Sequence, residues 1–240
     1  EAGGRVGIYL PNLPQFVTAF YGTLRAGGIV VPMNPQYKSR EITHLLSDSG
    51  TKAVVTLAEN ADAVESVVPE TDVEHVVSVG EGVESVTDFE AFLADETLDV
   101  VDRADDDVAC QPYTSGTTGK PKGVLLSHHN LAWTSRTNAE ILDGGLGPDD
   151  GLVGTLPLFH IYGMSVVMNA ALVNGAAYYP VTEWDASEVM ETIERDRLTI
   201  MYGVPAMFND MINQPDAAEY DLSSLRFINS GGDSLPIEVL

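Results

Sequence analysis

The residues whose types and spacing are best suited to binding a ligand form one continuous stretch, positions 113–123, with the sequence YTSGTTGKPKG. Its glycines let the backbone approach a ligand closely, and successive backbone N–H groups in such a loop create an anion-binding nest. Its hydroxyls add further donors, and its lysines add point charges suited to phosphate. Short apolar runs at 108–111 and 124–126 predict a strand on each side. The stretch therefore predicts a loop between two strands that holds the phosphates of a nucleotide.

The spacing within this stretch excludes an ordinary Walker loop, which requires Gly-x-x-x-x-Gly-Lys-Ser/Thr and opens a helix. Gly116 and Gly119 are only three positions apart, and Pro121 stands where the Ser or Thr should be. A strand, rather than a helix, is predicted to follow. A plain polar turn between strands is the alternative interpretation, but eleven specified residues in a row argue against it.

Four further motifs accompany the loop. They are VGIYLPN at 6–12, GGIVVPMNP at 27–35, LPLFHIYG at 156–163 and SGGDSLP at 230–236. Together with the loop, and in their order along the chain, they resemble the signature of the acyl-adenylate-forming enzymes. That superfamily comprises acyl-CoA synthetases, aryl-CoA ligases, luciferases and peptide-synthetase adenylation domains. The similarity covers nearly the whole chain.

The resemblance implies a set of ATP-binding residues. The loop would hold the β- and γ-phosphates through Thr114, Ser115, Gly116, Thr117, Thr118, Gly119 and Lys122. Lys122 is preferred to Lys120 because the lysine of the motif stands between a proline and a glycine. Thr114 is also expected to touch Mg²⁺, although a strand-end hydroxyl bonded to backbone explains it equally well. Adenine would meet Gly231, Gly232, Asp233 and Ser234, where Asp233 and Ser234 depart from the residues often found in the family.

The motif at 156–163 implies the acyl site. By resemblance, His160 would line this site, shift between the two half-reactions and count with Lys122 as a catalytic residue. A neutral imidazole there could donate to the substrate carboxylate; a packed loop histidine is the alternative. The predicted substrate residues are His160, Ile161, Tyr202 and Gly203, although core packing explains Tyr202 and Gly203 equally well. His44, His75, His128 and His129 show no zinc-binding spacing.

The implied activity is that of an AMP-forming acid–thiol ligase that uses ATP, Mg²⁺ and CoA. The predicted pocket segments are mostly apolar, which favours a fatty or aryl acid; they hold His160, Ile161, Tyr162, Met164, Tyr202, Val204, Met207 and Phe208. A medium or long fatty acid is the preferred substrate, because the early segment resembles that branch of the family. An aryl-CoA ligase and a peptide-synthetase adenylation domain are the alternatives. Amino-acid activators of the family carry an Asp near the motif at 156–163, where this chain has Phe159 and His160. This difference argues against the peptide-synthetase alternative. A nucleotide-binding module without catalysis is the alternative from another class.

The later motifs of the family, which carry its ribose, metal and C-terminal lysine sites, have no counterpart in residues 1–240. We therefore expect a partial N-terminal domain that binds ATP and the acyl group, without the C-terminal domain and inactive alone. A homodimer is one possible oligomeric state.

Composition narrows the class further. The 240 residues carry a net charge of −24 with only 12 Lys and Arg, which argues against nucleic-acid binding. Such an acidic surface favours a halophilic source, whose salt screens the self-repulsion. No apolar run approaches the length of a membrane helix. The single Cys110 suits a reducing cytoplasm.

Strand and helix patterns alternate throughout, so the predicted class is α/β, with layered, largely parallel sheets and flanking helices. Strands are predicted at 6–10, 29–31, 53–57, 73–79, 108–111, 124–126, 152–156, 176–179, 199–202 and 225–229. Helices are predicted at 14–26, 39–46, 61–68, 89–93, 128–142, 162–172, 185–196 and 205–213. Ser39 and Ser127 are the predicted N-caps of two of them, and Asp185 begins another with capping-box spacing to Glu188. Ligand loops are expected at the carboxyl ends of the strands.

Overall fold

The computed structural model describes residues 2–80, 83–93, 99–114 and 120–234. The chain divides into two compact units, Glu1–Leu131 and Ala132–Leu240. Among the helices of the described ranges, none has both the length and the hydropathy needed to cross a bilayer.

The first unit contains a seven-stranded sheet. Its strands are β1 (Arg5–Tyr9), β2 (Ile29–Pro32), β3 (Ala53–Leu57), β4 (His75–Val79), β5 (Thr87–Asp88), β6 (Val108–Cys110) and β9 (Leu126–Ser127). They lie in the order β5-β4-β3-β1-β2-β6-β9. All neighbours pair in parallel except β6 and β9, which are antiparallel. All four residues of β2 are buried, as expected for a parallel strand covered on both faces.

The helices of the first unit are α1 (Pro14–Arg25), α2 (Ser39–Ser49), α3 (Ala61–Glu65) and α4 (Phe89–Phe92). Helix α2 packs Ile42, Leu45 and Leu46 into a core that also contains Val31 and Val54. It begins one residue earlier than a Ser39 cap would allow, because Lys38 is the N-cap and Ser39 is already helical. The Glu41 carboxylate accepts the Lys38 backbone N–H at 3.1 Å, which satisfies the backbone donor of the N-cap residue. Gly50 ends the helix at φ 65°.

A separate two-stranded hairpin carries the stems of the glycine-rich loop. Strand β7 (Tyr113–Thr114) pairs antiparallel with β8 (Lys122–Gly123), which brings Thr114 opposite Lys122. The single strand predicted over 124–126 is therefore wrong. Val124 and Leu125 are 39% and 56% exposed and lie between β8, which belongs to the hairpin, and β9, which belongs to the seven-stranded sheet.

Helix α5 (His128–Glu140) follows β9 across the boundary between the two units. The predicted cap is confirmed, since the Ser127 hydroxyl accepts the Asn130 backbone N–H at 3.2 Å.

The second unit contains a four-stranded parallel sheet. The strands are β10 (Gly151–Gly154), β11 (Ala177–Pro180), β12 (Ile200–Gly203) and β13 (Phe227–Ser230), in the order β11-β10-β12-β13. The helices are a π-helix (Tyr162–Asn169), α6 (Ala170–Val173), α7 (Ala186–Asp196) and α8 (Pro205–Ile212). The predicted cap of α7 is confirmed, because the Asp185 carboxylate accepts the Glu188 N–H at 2.9 Å.

Successive residues of β12 face opposite layers of this unit, as the pleat requires. Tyr202 packs with Val167 of the π-helix, whereas Met201 packs with Val189 and Met190 of α7. The confirmed α/β class thus places the two helix layers on opposite faces of the sheet, with a core on each.

Strand β13 is anchored just before it begins. The Arg226 guanidinium donates to both Asp150 carboxylate oxygens at 2.8 Å and also to the carbonyls of Asp143 and Gly145. These bonds, with a further one from Thr199, hold the pKa of Asp150 down at about 2. A charged bridge therefore ties β13 to the turn that precedes β10.

Candidate functional site

The two predicted phosphate-binding side chains at the loop stems lie opposite each other. Thr114 and Lys122 are register partners in the β7–β8 hairpin, and both are exposed. Lys120 is also exposed. The predicted residues Ser115, Gly116, Thr117, Thr118 and Gly119 lie outside the described residues. The hairpin therefore presents one hydroxyl and one ammonium group at the base of the loop.

A series of hydrogen-bonded polar side chains supports this hairpin. Arg5 Nε donates to Gln111 Oε1 at 2.7 Å, and Gln111 Nε2 donates to the Tyr113 hydroxyl at 3.2 Å. Gln111 is only 5% exposed, and its amide lies against the backbone of Gly123, where a Cβ would come within 2.5 Å of Nε2. Position 123 therefore requires glycine because a buried amide occupies the space of a side chain.

Helix α2 contacts both stems of the loop. His44 Nε2 lies 3.0 Å from the Pro121 carbonyl oxygen, and the Tyr113 hydroxyl donates to Asp48 Oδ2 at 2.7 Å. The rings of His44 and Tyr113 meet edge to face with centroids 6.3 Å apart. Sequence reasoning missed these contacts. The partners are 77 and 65 positions apart, so no local pattern could have indicated them.

In the second unit, His160 lies at the corner between β10 and the π-helix, with an exposed side chain. Its Nδ1 accepts the Tyr162 backbone N–H at 3.1 Å, and its carbonyl accepts the Met164 N–H at 3.0 Å. Because Nδ1 accepts, the ring proton of this histidine is on Nε2. The corner thus presents a neutral imidazole with an outward N–H donor.

Tyr162 connects this corner to the ends of β12 and β13. Its hydroxyl donates to Asn229 Oδ1 at 2.6 Å, and its ring meets that of Tyr202 edge to face at 6.2 Å. Burial raises the pKa of Tyr162 and that of Tyr202, the latter to about 12, so both phenols keep their protons at neutral pH. The sequence placed Tyr162 in a predicted pocket segment without a specific role. Its hydrogen bond to Asn229 spans 67 positions and could be found only from the fold.

The glycine-rich turn after β13 lies against the end of β12. The Gly231 N–H donates to the Gly203 carbonyl at 3.0 Å, and a Cβ on Gly231 would lie 2.7 Å from the Tyr162 hydroxyl oxygen. Gly232 adopts φ +83°, which disfavours any residue with a side chain. Asp233 and Ser234 follow with exposed side chains, and the Asp233 carboxylate accepts the Ser234 N–H at 2.7 Å.

Tyr202, Gly203 and Gly231 therefore lie close together. Tyr162 contacts this group and is also hydrogen-bonded to His160, so it joins the group to the corner. Ile161 lies at the same corner with 38% of its surface exposed. Phe208, a predicted pocket residue, packs instead with the core on the opposite face of the sheet that contains Met201. The residues that form one compact wall are thus fewer than the sequence segments suggested.

Comparison with known proteins identifies the family. Residues 1–240 match the family described as AMP-binding enzyme. A long-chain-fatty-acid–CoA ligase of Bacillus subtilis (strain 168) is 31% identical over an alignment of 270 positions with gaps, covering 100% of this chain and 48% of that protein. The 4-coumarate–CoA ligase 2 of Solanum tuberosum is 34% identical, covering 97% of this chain and 43% of that protein.

A solved structure agrees with these relatives. The crystal structure of the anthranilate CoA ligase AuaEII in complex with anthranoyl-AMP matches with a TM-score of 0.92 and 28% identity, covering 100% of this chain and 47% of that one. The chain therefore belongs to the AMP-binding enzyme family, and the resemblance stated from its motifs is confirmed. It spans about half the length of the relatives it matches.

Proposed function

We propose that this chain is the N-terminal, ATP- and acyl-binding part of an AMP-forming acyl-CoA synthetase. The observation that carries the proposal is the family match over residues 1–240. The matched relatives include ligases named for fatty and aryl acids, and the chain spans about half of each. This chain, the rest of the N-terminal domain and the C-terminal domain that the proposal assigns to it together make up the complete ligase.

The reaction proposed has two steps. A carboxylate oxygen attacks the α-phosphorus of ATP, the bond to the β-phosphate breaks, and pyrophosphate leaves. The thiol of CoA then attacks the acyl carbon, and AMP leaves. The first step brings two anions together, so its transition state needs positive charge and oriented donors.

The loop residues supply those groups in this proposal. Lys122 and the hydroxyls and backbone of residues 114–119 bind the β- and γ-phosphates. The exposed positions of Thr114 and Lys122 at the base of the hairpin fit such a role. Thr114 offers a single oxygen to Mg²⁺, an ion usually held jointly by phosphates and a few protein oxygens. The ion would neutralise phosphate charge, while Lys122 adds a fixed charge of its own.

His160 is assigned to the acyl carboxylate. Its Nδ1 is occupied by the Tyr162 N–H, which leaves Nε2 as the donor. A neutral imidazole N–H can donate to a carboxylate without forming an ion pair that would lower its nucleophilicity. Lys122 and His160 are thus the proposed catalytic residues.

The remaining residues form the adenine and acyl walls. Gly231, Gly232, Asp233 and Ser234 are assigned to adenine, and Ile161, Tyr202 and Gly203 to the acyl group. The close backbone contact between Gly203 and Gly231 supports a shared wall for the two groups.

A medium or long fatty acid is the proposed substrate, with an aryl acid as the second candidate. The aromatic and apolar character of Ile161, Tyr162 and Tyr202 supports either. The aryl alternative is favoured by the half-buried ring of Tyr162, because an aromatic side chain is suited to stacking on a flat acid.

The test is CoA-dependent AMP release by the complete ligase with a panel of fatty, aryl and amino acids. Fatty acids are expected to give the highest kcat/KM, and residues 1–240 alone are expected to give no ATP–pyrophosphate exchange. A preference for amino acids without CoA dependence would overturn the proposed function. Exchange by residues 1–240 alone would overturn the proposed division of the protein.

We also propose that the protein works in a salt-rich cytoplasm and forms a homodimer, a state that light scattering would check. The net charge of −24 supports the salt requirement, and the single buried Cys110 supports a reducing compartment. Molar KCl should raise the melting temperature, because screening weakens repulsion between acidic groups. A melting temperature that falls steadily with KCl would reject the salt adaptation.

A further inference from the structure

We propose that helix α2 positions both ends of the phosphate loop for ATP, through His44 at one end and Asp48 at the other. This inference rests on the proposed function and adds residues outside the loop to it. His44 and Asp48 are positioning residues, because they act through Pro121 and Tyr113 rather than on the substrate.

The downstream end of the loop is fixed by His44. A carbonyl oxygen only accepts, so the 3.0 Å contact with Pro121 makes Nε2 the donor. Both the neutral Nε2–H ring and the imidazolium provide that donor. Pro121 immediately precedes Lys122, so this bond sets the backbone one peptide away from the lysine assigned to the phosphates.

The upstream end is fixed by Asp48. It accepts the Tyr113 hydroxyl hydrogen bond at 2.7 Å, while Gln111 Nε2 donates to the same hydroxyl at 3.2 Å. Burial, reinforced by the neighbouring Asp48 carboxylate, raises the pKa of Tyr113, so the phenol remains a donor. Tyr113 immediately precedes Thr114, the first assigned phosphate ligand.

The geometry of α2 suits this double role. His44 and Asp48 are four residues apart, and such residues share one face of a helix. The helix is itself held by Ile42, Leu45 and Leu46, which are fully buried. Groups on an element fixed by core packing place a site more accurately than groups on a loop.

Fixing the two ends should matter for affinity rather than for the chemical step. The sequence between them contains Gly116 and Gly119, and glycine loses more conformational freedom on ordering than any other residue. A loop whose ends are already set loses less freedom when phosphate binds. Loss of either contact should therefore raise the KM for ATP and leave kcat nearly unchanged.

The test compares His44→Leu, His44→Gln and Tyr113→Phe in the complete ligase, with His75→Leu as a matched control. His75 is an exposed histidine at the start of β4 in the same unit. We expect the KM and the calorimetric Kd for ATP to rise about 3- to 10-fold in His44→Leu, which is the effect of one lost hydrogen bond. The rise should be at least as large in Tyr113→Phe, because this hydroxyl both donates to Asp48 and accepts from Gln111. His44→Gln, whose amide can donate, should recover most of the affinity, and His75→Leu should match the wild type.

Melting temperatures and far-ultraviolet spectra establish that each variant is folded. Unchanged ATP affinity in both His44→Leu and Tyr113→Phe, with or without lower melting temperatures, would overturn the inference and leave α2 a purely structural element. Equal losses in His44→Gln and His44→Leu would also overturn the donor role. A wild-type protein that neither binds ATP nor exchanges pyrophosphate would instead refute the proposed function, and the inference with it.

Discussion

The stems of the phosphate loop and the strand ends around Tyr162 are built by different physical means. The stems are held by side-chain hydrogen bonds from residues distant in sequence, such as His44 to Pro121 and Asp48 to Tyr113. The strand ends are held mainly by close packing, with the Gly231 backbone against the Tyr162 ring, and by one side-chain hydrogen bond from Tyr162 to Asn229. A site for a multiply charged anion needs donors fixed in direction, whereas a wall for an apolar acid needs mainly shape.

The largest effect should come from the charge at the loop stem. We predict that Lys122→Ala lowers kcat/KM for adenylation by the complete ligase about 10- to 150-fold, the equivalent of one charge-assisted hydrogen bond. Lys52→Ala is the matched control, because Lys52 is an exposed lysine of the same unit that pairs with Glu74. Unchanged ATP–pyrophosphate exchange kinetics in Lys122→Ala would contradict the role proposed for the Lys122 charge in adenylation.

A smaller effect should come from the bridge that anchors β13. Asp150 is 11% exposed and Arg226 34% exposed, so we predict that Asp150→Asn lowers the free energy of unfolding by about 1–2 kcal/mol at pH 7. The exposed neighbour Asp149→Asn should have almost no effect. Urea unfolding measures both.

The loss of stability caused by Asp150→Asn should become smaller as the pH falls. The folded pKa of Asp150 is about 2, below its ordinary value of 3.8. The bridge therefore contributes fully above the ordinary pKa, and its contribution disappears as the pH falls through the folded pKa. The difference between wild type and Asp150→Asn should be constant from pH 7 to 5 and shrink between pH 4 and 2. A difference independent of pH over that range would contradict the assignment.

The smallest effect should come from the packed wall. Tyr162→Phe removes one neutral hydrogen bond to Asn229, so we predict a rise of about 2- to 10-fold in the KM for the acid. The KM for ATP should not change, in contrast to the α2 variants. Tyr178→Phe is the control, since its buried hydroxyl has no hydrogen-bond partner among the described residues. A rise confined to ATP would show that the two regions are not specialised as described.

Periodicity predicted the fold class because parallel strands and amphipathic helices leave local patterns. It located β1, β3 and α7 within about a residue, since buried runs and the Asp185 cap mark their ends. It failed at 124–126, where the chain passes from the hairpin strand β8 to β9 of the seven-stranded sheet and leaves Val124 and Leu125 outside any strand. It also described 162–172 as one helix, whereas the structure has π geometry over Tyr162–Asn169, which no spacing rule reveals.

Only those residues of the candidate site that belong to local sequence motifs could be predicted. The roles proposed for Thr114, Lys122 and His160 come from local signatures, and the fold places their side chains at a loop stem and a corner. The supporting residues His44, Asp48 and Asn229 were not predictable. Their partners lie 65 to 77 positions away in sequence and are chosen by tertiary packing.

Cys110 gives the chain an internal reporter. It is the single cysteine, it is completely buried in β6 between β2 and β9, and burial raises the pKa of its thiol. A disulfide reagent can therefore react only when this strand opens, and Cys110 lies three positions before the hairpin begins at Tyr113. The rate of thiol modification, with and without ATP, would then measure how strongly nucleotide binding closes the part of the sheet that supports the loop.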